Sequence, residues 1–496
     1  MAKPDYIHPD LLTMLPTYKL VADCYAGSEA VKGRTGFGSG GRGNGGGQVD
    51  LRLSPYLPDP SPASERYETR TKRYDDYIER AVFYNVTKRT INAMTGAVFS
   101  KYPSMILGDL DVLEADADGA GKSLTQMSRE ALTNCLQQGR GLLLADMPVN
   151  TDGVSKAAMS ASGIRPIIAH YKSESVINWR YRKVGGVLKP CLIVLAETYT
   201  AQDDGYEAKT ARQLLVLRLN DNDRAESEIF RKSDNSGEWV SQGINPMTDH
   251  NGKPLDYIPA YSYGAVNNDL HPDDVPMADL AHLNIAHFRN SADYEEACFL
   301  TAQPTLTVSG LTEQWVNDVL DNGVAIGSRS GILLPQGGSA QLLQMQSDGA
   351  LFEAMSHKES QMVSIGAKLI QESSTAKTAT EASADNADAT SVLSSIANNV
   401  SDAFTKCIKA CARYMGQDDK DLVFALNTQF DFVKLDPAAQ AQMVANWQAG
   451  AITFSEMRAA LVESEVATVE DSIEAQETIK AEQGALFDNE RVTDGE

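Results

Sequence analysis

The sequence predicts an α+β protein, mostly helical with one β-rich module, on three observations. Two long helical patterns, residues 274–300 and 348–372, bracket a compact unit of strands and turns. Residues 164–265 alternate apolar runs with Asp- and Gly-rich turns, an antiparallel-leaning pattern. A third helical pattern follows residue 391 and repeats its apolar residues at near-ideal spacing. The middle of the chain reads as a rod, a head on the rod, a returning rod and a loop where the return ends. Such a part suits an assembly in which head and loop face something that docks or moves past.

Composition narrows the class. At 496 residues the chain can fill roughly two to four domains and bury large cores. Its 42% hydrophobic and 22% charged residues are ordinary for a soluble protein. It has no apolar run long enough for a membrane span, and residues 1–11 have no apolar core of a secretory signal. Six cysteines are scattered without a Cys-x-x-Cys pair; Cys407 and Cys411 share a helical face and read as buried free thiols in a reducing interior. The net charge of −23 argues against a tight nucleic-acid binder, which needs a basic footprint.

Along the chain, residues 9–31 predict a short helical pair around Pro16, and the glycines of 32–48 predict a loop. Residues 54–62 are proline-punctuated and extended. One strong helix is expected from Glu65, through Tyr74, Tyr77, Ile78, Ala81, Val82, Ile91 and Met94, to an end before Pro103. Another covers 123–138 and leads into an apolar strand at 142–145. Within 164–265 the strands are expected at 166–170, 191–195, 214–219 and 258–263.

The first rod starts at Asp274 as N-cap, with Pro276 in the first turn; about 25 residues make it about 38 Å long. Pro304 opens the head: a strand at 305–309, a helix at 312–320 with Trp315 and Val319 inward, and strands at 332–334 and 341–346. The second rod carries Leu351, Met355, Met362, Ile365 and Leu369 on one face. Residues 373–391 have no apolar face. The third helix sets Leu393, Ile396, Val400, Phe404, Cys407, Ile408 and Cys411 on one side. From Pro437 the chain is helical, and residues 463–496, with eleven acids against Lys480 and Arg491, predict a solvated helix.

Several motif strings carry little. Gly36-x-Gly38-x-x-Gly41 has no strand before it and no helix after it. Gly121-Lys122-Ser123 resembles the end of a phosphate-binding loop, but the first glycine of that motif would fall on Asp116, whose charge repels phosphate. Asp279, His282 and His287 share the first rod, yet histidines five apart do not face one metal, so helix-surface hydrogen bonding is expected. Asn85-x-Thr87 is a glycosylation string placed inside a helix. No nucleophile elbow or Cys–His signature is present, so no catalytic residue, metal site or cofactor is expected.

Two regions carry a resemblance. YLP (56–58) and RYDDYIERAVFYNVTKRTINAMTGAVFSKYP (73–103) resemble the N-terminal region of the tailed-bacteriophage portal protein family, the head-to-tail connector rings. DLAHLNIAHFRNSADYEEACFLTAQPTL (279–306) is similar to a portal stem helix entering the clip. The stretch 331–370 is similar to the clip's return into the second stem helix, and TATEAS (378–383) to the loop and helix start that follow. The likeness runs to about residue 435. The Gly-rich loop at 33–47 and the C-terminal helices depart from it.

The resemblance implies a portal-like subunit: a mostly helical wing of residues 1–270, including the β-rich module 164–265, with a wing helix and return strand at 391–435. Stem helices would be 274–300 and 348–372, a small α/β clip 301–347, a tunnel loop 373–391, and a helical crown with acidic tail 436–496. It implies a homo-oligomeric ring, most often of twelve copies, at the capsid vertex of the virion, assembled in the host cytoplasm. Partners would be the large terminase subunit, a head–tail adaptor, and the major capsid or scaffold protein. Double-stranded DNA would pass through without sequence specificity, and no membrane is involved. The DNA-facing residues would be Lys377, Thr378, Thr380, Glu381 and Asp385, with Lys377 either touching phosphates or simply solvated. Clip docking would fall to Thr312, Glu313, Asp318, Asp321 and Arg329. Two alternatives stand beside this: a capsid or head-completion protein that forms no conduit, and a nucleotide hydrolase built on Gly121-Lys122-Ser123.

Overall fold

The structure, a computed structural model, describes residues 3–33, 54–60, 66–147, 165–233, 237–302, 305–310, 313, 336–343, 349–370, 392–428, 430 and 437–463, with positions 473, 474, 476 and 478. Two compact units are present, Met1–Thr428 and Gln429–Glu496.

The first unit is α+β. Helix α1 (Pro9–Ala26) is capped by His8, whose Nδ1 accepts the Asp10 N–H at 3.2 Å. The expected break at Pro16 does not occur. Pro16 and Leu12, whose carbonyl loses its helical donor, are exposed, so water can serve that carbonyl. The break comes instead at Gly27, with φ 109°, before α2 (Ser28–Val31). The single helix expected from residue 65 is two, α3 (Tyr67–Arg80) and α4 (Val86–Val98), the second capped by Asn85 Oδ1 on the Lys88 N–H. After β1 (Ser104–Ile106) and α5 (Val112–Ala115), α6 (Leu124–Gln138) opens on a Ser123–Gln126 capping box and closes on left-handed Gly139.

Buried strand β2 (Arg140–Asp146) is the centre of a three-stranded antiparallel sheet, between β3 (Ile167–Lys172) and β9 (Ala260–Gly264). Between these two in sequence lies a five-stranded antiparallel meander: β4 (Val176–Val184), β5 (Val187–Asp203), β6 (Ala208–Leu219), β7 (Ala225–Lys232) and β8 (Trp239–Pro246). The β-rich module is thus two sheets. Strands β4, β7 and β8 went unpredicted because charged and polar residues interrupt their apolar runs, the buried Glu228 of β7 among them, and because β8 is exposed along most of its length.

Helix α7 (Ala278–Ala302) starts four residues after Asp274, beyond a turn closed by Ala278 N–H on the Val275 carbonyl (3.0 Å). Strands β10 (Thr305–Ser309) and β11 (Ser339–Leu343) pair antiparallel, and α8 (Ala350–Ile370) follows. The expected helix at 312–320 and strand at 332–334 lie outside the described residues, Glu313 excepted. Helix α9 (Val392–Tyr414) buries its whole predicted stripe and packs on β2 and β9. It also organises β12 (Val423–Ala425), which pairs with β1. Thr405 Oγ1 donates to the Phe424 carbonyl and accepts its N–H (both 3.0 Å), while Ser401 Oγ accepts from Leu426 N–H at 2.9 Å. All six cysteines are free thiols.

The second unit contains α10 (Pro437–Gln448) and α11 (Phe454–Glu463). Thr453 and Glu456 form a reciprocal cap, and Trp447 meets Phe454 edge-on at 5.7 Å. Among the described residues no helix is long and apolar enough to cross a membrane.

Candidate functional site

Helix α7 is the element on which the helical region is hung. Leu280, Ala281, Ile285, Phe288 and Ala292 are buried, and so are the polar side chains of Asn284, His287 and Ser291. Spacings of three and four keep these three on one face. Buried polar groups need partners. Asn284 Oδ1 accepts from Val86 N–H (3.2 Å), Thr87 N–H (3.1 Å) and Thr87 Oγ1 (3.0 Å), while Nδ2 donates to the Tyr84 carbonyl (2.8 Å). Ser291 Oγ accepts from Val82 N–H (3.3 Å). One side of α7 therefore satisfies the backbone groups freed by the α3–α4 break.

Farther along, Tyr77 Oη donates to Asp293 Oδ1 (2.7 Å). Burial, and then the Asp293 carboxylate, push the Tyr77 hydroxyl well above its ordinary pKa, so it stays a donor. Arg80 pairs with Glu296 and lies over the Phe299 ring at 4.2 Å.

Helix α8 runs back along α7. His287 Nε2 faces Glu359 Oε1 at 3.1 Å, and the Tyr294 ring meets Phe352 at 6.4 Å. A step of seven along one helix matches a step of seven back along the other, so the pair is antiparallel with contacts one heptad apart. Among the described residues of this pair, four large apolar side chains face solvent: Phe299 (40% exposed), Leu300 (43%), Phe352 (59%) and Val363 (68%).

Of the sequence-predicted site residues, Lys377, Thr378, Thr380, Glu381, Asp385, Thr312, Asp318, Asp321 and Arg329 lie outside the described residues, as do Gly36, Gly38 and Gly41; Glu313 is exposed. Asp279 and His282 are exposed, whereas His287, expected on the helix surface, is buried because α8 covers it. Asn85 caps α4 rather than standing inside a helix. Among the described residues no His, Cys, Asp and Glu cluster could hold a metal.

The loop before α6 has its amides occupied. Asp116 Oδ1 accepts Gly121 N–H (2.9 Å), and Asp118 Oδ1 accepts Ala120 N–H (2.9 Å) and Lys122 N–H (3.1 Å). Lys122 pairs with Glu130, Ser123 is spent on the cap, and Asp116 is bound by Arg165 at 2.6 Å. The Gly121 amide first, then Arg165, hold Asp116 below the usual carboxylate range. A phosphate-binding loop needs these amides free; here the chain's own carboxylates fill them.

Sequence reasoning missed Asn284, Ser291, Asp293, Glu296 and Glu359. For Asn284 and Ser291 the available signal was the polar interruption of the α7 stripe at helical spacing.

A family described as a domain of unknown function (DUF4055) matches residues 276–415, the span from the start of α7 to the end of α9. No protein with a curated description matches. Among solved structures, the chain is similar to a chain in the neck of an empty gene transfer agent particle computed with C6 symmetry. That likeness has 18% identity and a TM-score of 0.41, over 76% of this chain and 90% of that one. A chain in the neck of the native particle, computed with C12 symmetry, gives 16% identity and 0.40, over 76% and 89%. A chain in the virion of the native gene transfer agent gives 17% and 0.39, over 76% and 89%.

Proposed function

We propose that this chain is a portal subunit, which assembles into a ring of about twelve copies that serves as a conduit for double-stranded DNA. The observation that carries the reading is the antiparallel α7–α8 pair, with β10 and β11 between its members. It lies where the sequence resembles the two portal stem helices and clip, and Phe299, Leu300, Phe352 and Val363 leave an apolar surface for a neighbouring copy. A heterologous contact of this kind closes into a ring when the rotation between copies permits.

In that reading the ring stands at the capsid vertex of a virion. It receives the terminase motor during packaging and a head–tail adaptor later, and contacts capsid or scaffold protein. The chain's −23 charge gives passing phosphates few places to adhere. It performs no catalysis and takes no cofactor, the ATP-driven work belonging to the terminase.

Electron-microscope class averages and native mass of the purified protein test this. Closed rings of about twelve copies with a central hole are expected. A dimer that binds nucleotide, or a ring with no open channel, overturns it.

A further inference from the structure

We infer that the groove between the N-terminal segment and the five-stranded sheet docks an extended acidic segment of a partner protein through alternating apolar side chains. The groove encloses about 690 Å³. Its floor is aliphatic and aromatic: Leu192 and Val194 from β5, Val216 from β6 and Phe230 from β7. One wall is the segment carrying Lys3, Tyr6 and His8.

The charge of the lining gives the occupant its sign. The chain has 67 acidic against 44 basic residues, yet among the described residues lining the groove there are Lys3, Arg180, Arg218 and two histidines, and no Asp or Glu. Arg218 is already held by Glu228 (3.0 Å) and Glu226 (3.5 Å). Asp10, which faces His8 and His271 at 3.6 and 3.2 Å, does not line the groove. Lys3 and Arg180 are exposed, and neither has an ion-pair partner among the described residues. Two free cations flanking an apolar floor, on an otherwise anionic molecule, fit carboxylates flanking apolar side chains.

The rings decide between a peptide and a nucleic-acid base. Trp179 stacks on His8 at 4.0 Å and 17°, and the Arg140 guanidinium lies over it at 4.4 Å. Tyr181 stacks on His271 at 14°. These rings are engaged by side chains of the same molecule, whereas base recognition relies on aromatic faces free to stack. An aliphatic sheet face suits the alternate side chains of an extended peptide. The frame is fixed before binding. Arg140, 1% exposed, donates to Ser173 Oγ (3.1 Å) and to the Ser173 carbonyl (3.2 Å), and His8 N–H donates to the Ile177 carbonyl of β4 (2.8 Å). This docking site stands or falls independently of the ring.

The test is fluorescence anisotropy of a short fluorescein-labelled peptide of alternating leucine and glutamate, titrated with the full-length protein. Leucine–lysine and serine–glutamate peptides serve as controls, and ATP as a competitor. Saturable, salt-sensitive binding of the leucine–glutamate peptide alone is expected. The double variant Lys3→Glu, Arg180→Glu should weaken it by about tenfold or more. Leu192→Ser should weaken it with no change in charge. Thermal unfolding confirms that each variant is folded, and the charge reversals, both on exposed side chains, decide the matter if Leu192→Ser is not. Absence of binding, equal binding of the leucine–lysine peptide, or undiminished affinity in the charge-reversed protein each overturns the proposal. Displacement by ATP does so too, and points to a nucleotide in the groove.

Discussion

Gly141 is in β2 because nothing larger fits. A Cβ there would lie 2.1 Å from Tyr263 Oη and 2.8 Å from Asn134 Nδ2. The same hydroxyl meets His170 at 2.6 Å and Asn134 at 3.1 Å, so it cannot swing away without breaking a buried network. Gly141→Ala should therefore destabilise the protein by about 1–3 kcal/mol in a denaturant titration. His170 sets a pH dependence. Burial lowers its pKa from 6.5 to about 4. The folded state keeps it neutral while the unfolded chain takes up a proton, so its contribution is complete above pH 6.5 and is lost as pH falls toward 4. The loss amounts to up to about 3 kcal/mol. Unfolding free energies measured across that interval should fall less steeply in His170→Gln. Neither role was legible beforehand: Gly141 and His170 look like ordinary strand residues, and their partner Tyr263 is more than ninety residues away in sequence from each.

At the scale of elements, chain breaks depend on what lies opposite. Proline at position 16 predicts a break that solvent exposure removes, while residues 81–85 carry a smooth helical pattern that tertiary contacts interrupt. Asn284 takes up the backbone groups freed there, and truncating it leaves the buried Thr87 N–H and hydroxyl without their acceptor, while the Val86 N–H keeps its bond to the Tyr84 carbonyl (2.9 Å). Asn284→Ala should cost about 1–3 kcal/mol and raise hydrogen exchange at Thr87 above that of α6. The α7–α8 pair itself was legible, since its apolar repeats are strong and about the right length. Its outward apolar residues supply the test of ring closure. Phe352→Glu with Val363→Glu changes two exposed side chains, so thermal unfolding should shift little while native mass moves from rings to monomers. Rings that survive this change would place the interface on another surface.

At the scale of the whole molecule, the acidic surface and the order of parts matter more than any one contact. The stretch 373–391 has no apolar face in its sequence, with Lys377 as its one base, so ring assembly should not depend on it. Shortening it should leave rings intact by electron microscopy and reduce the DNA packaged or retained per particle; a variant unable to form rings would assign the stretch to the subunit interface instead.

The sequence by itself determined the α+β class, the α7-to-α9 succession, the packing stripe of α9, the free cysteines and the net charge. These follow from periodicity and composition, which are local or additive. Only the tertiary structure decided that β2 joins strands separated by the five-stranded meander and that α3 and α4 are distinct. It also decided that carboxylates fill the amides around Gly121, and that a basic groove lies on an acidic protein. Each of these depends on residues far apart in the chain meeting in space, and a one-dimensional pattern holds no record of such meetings.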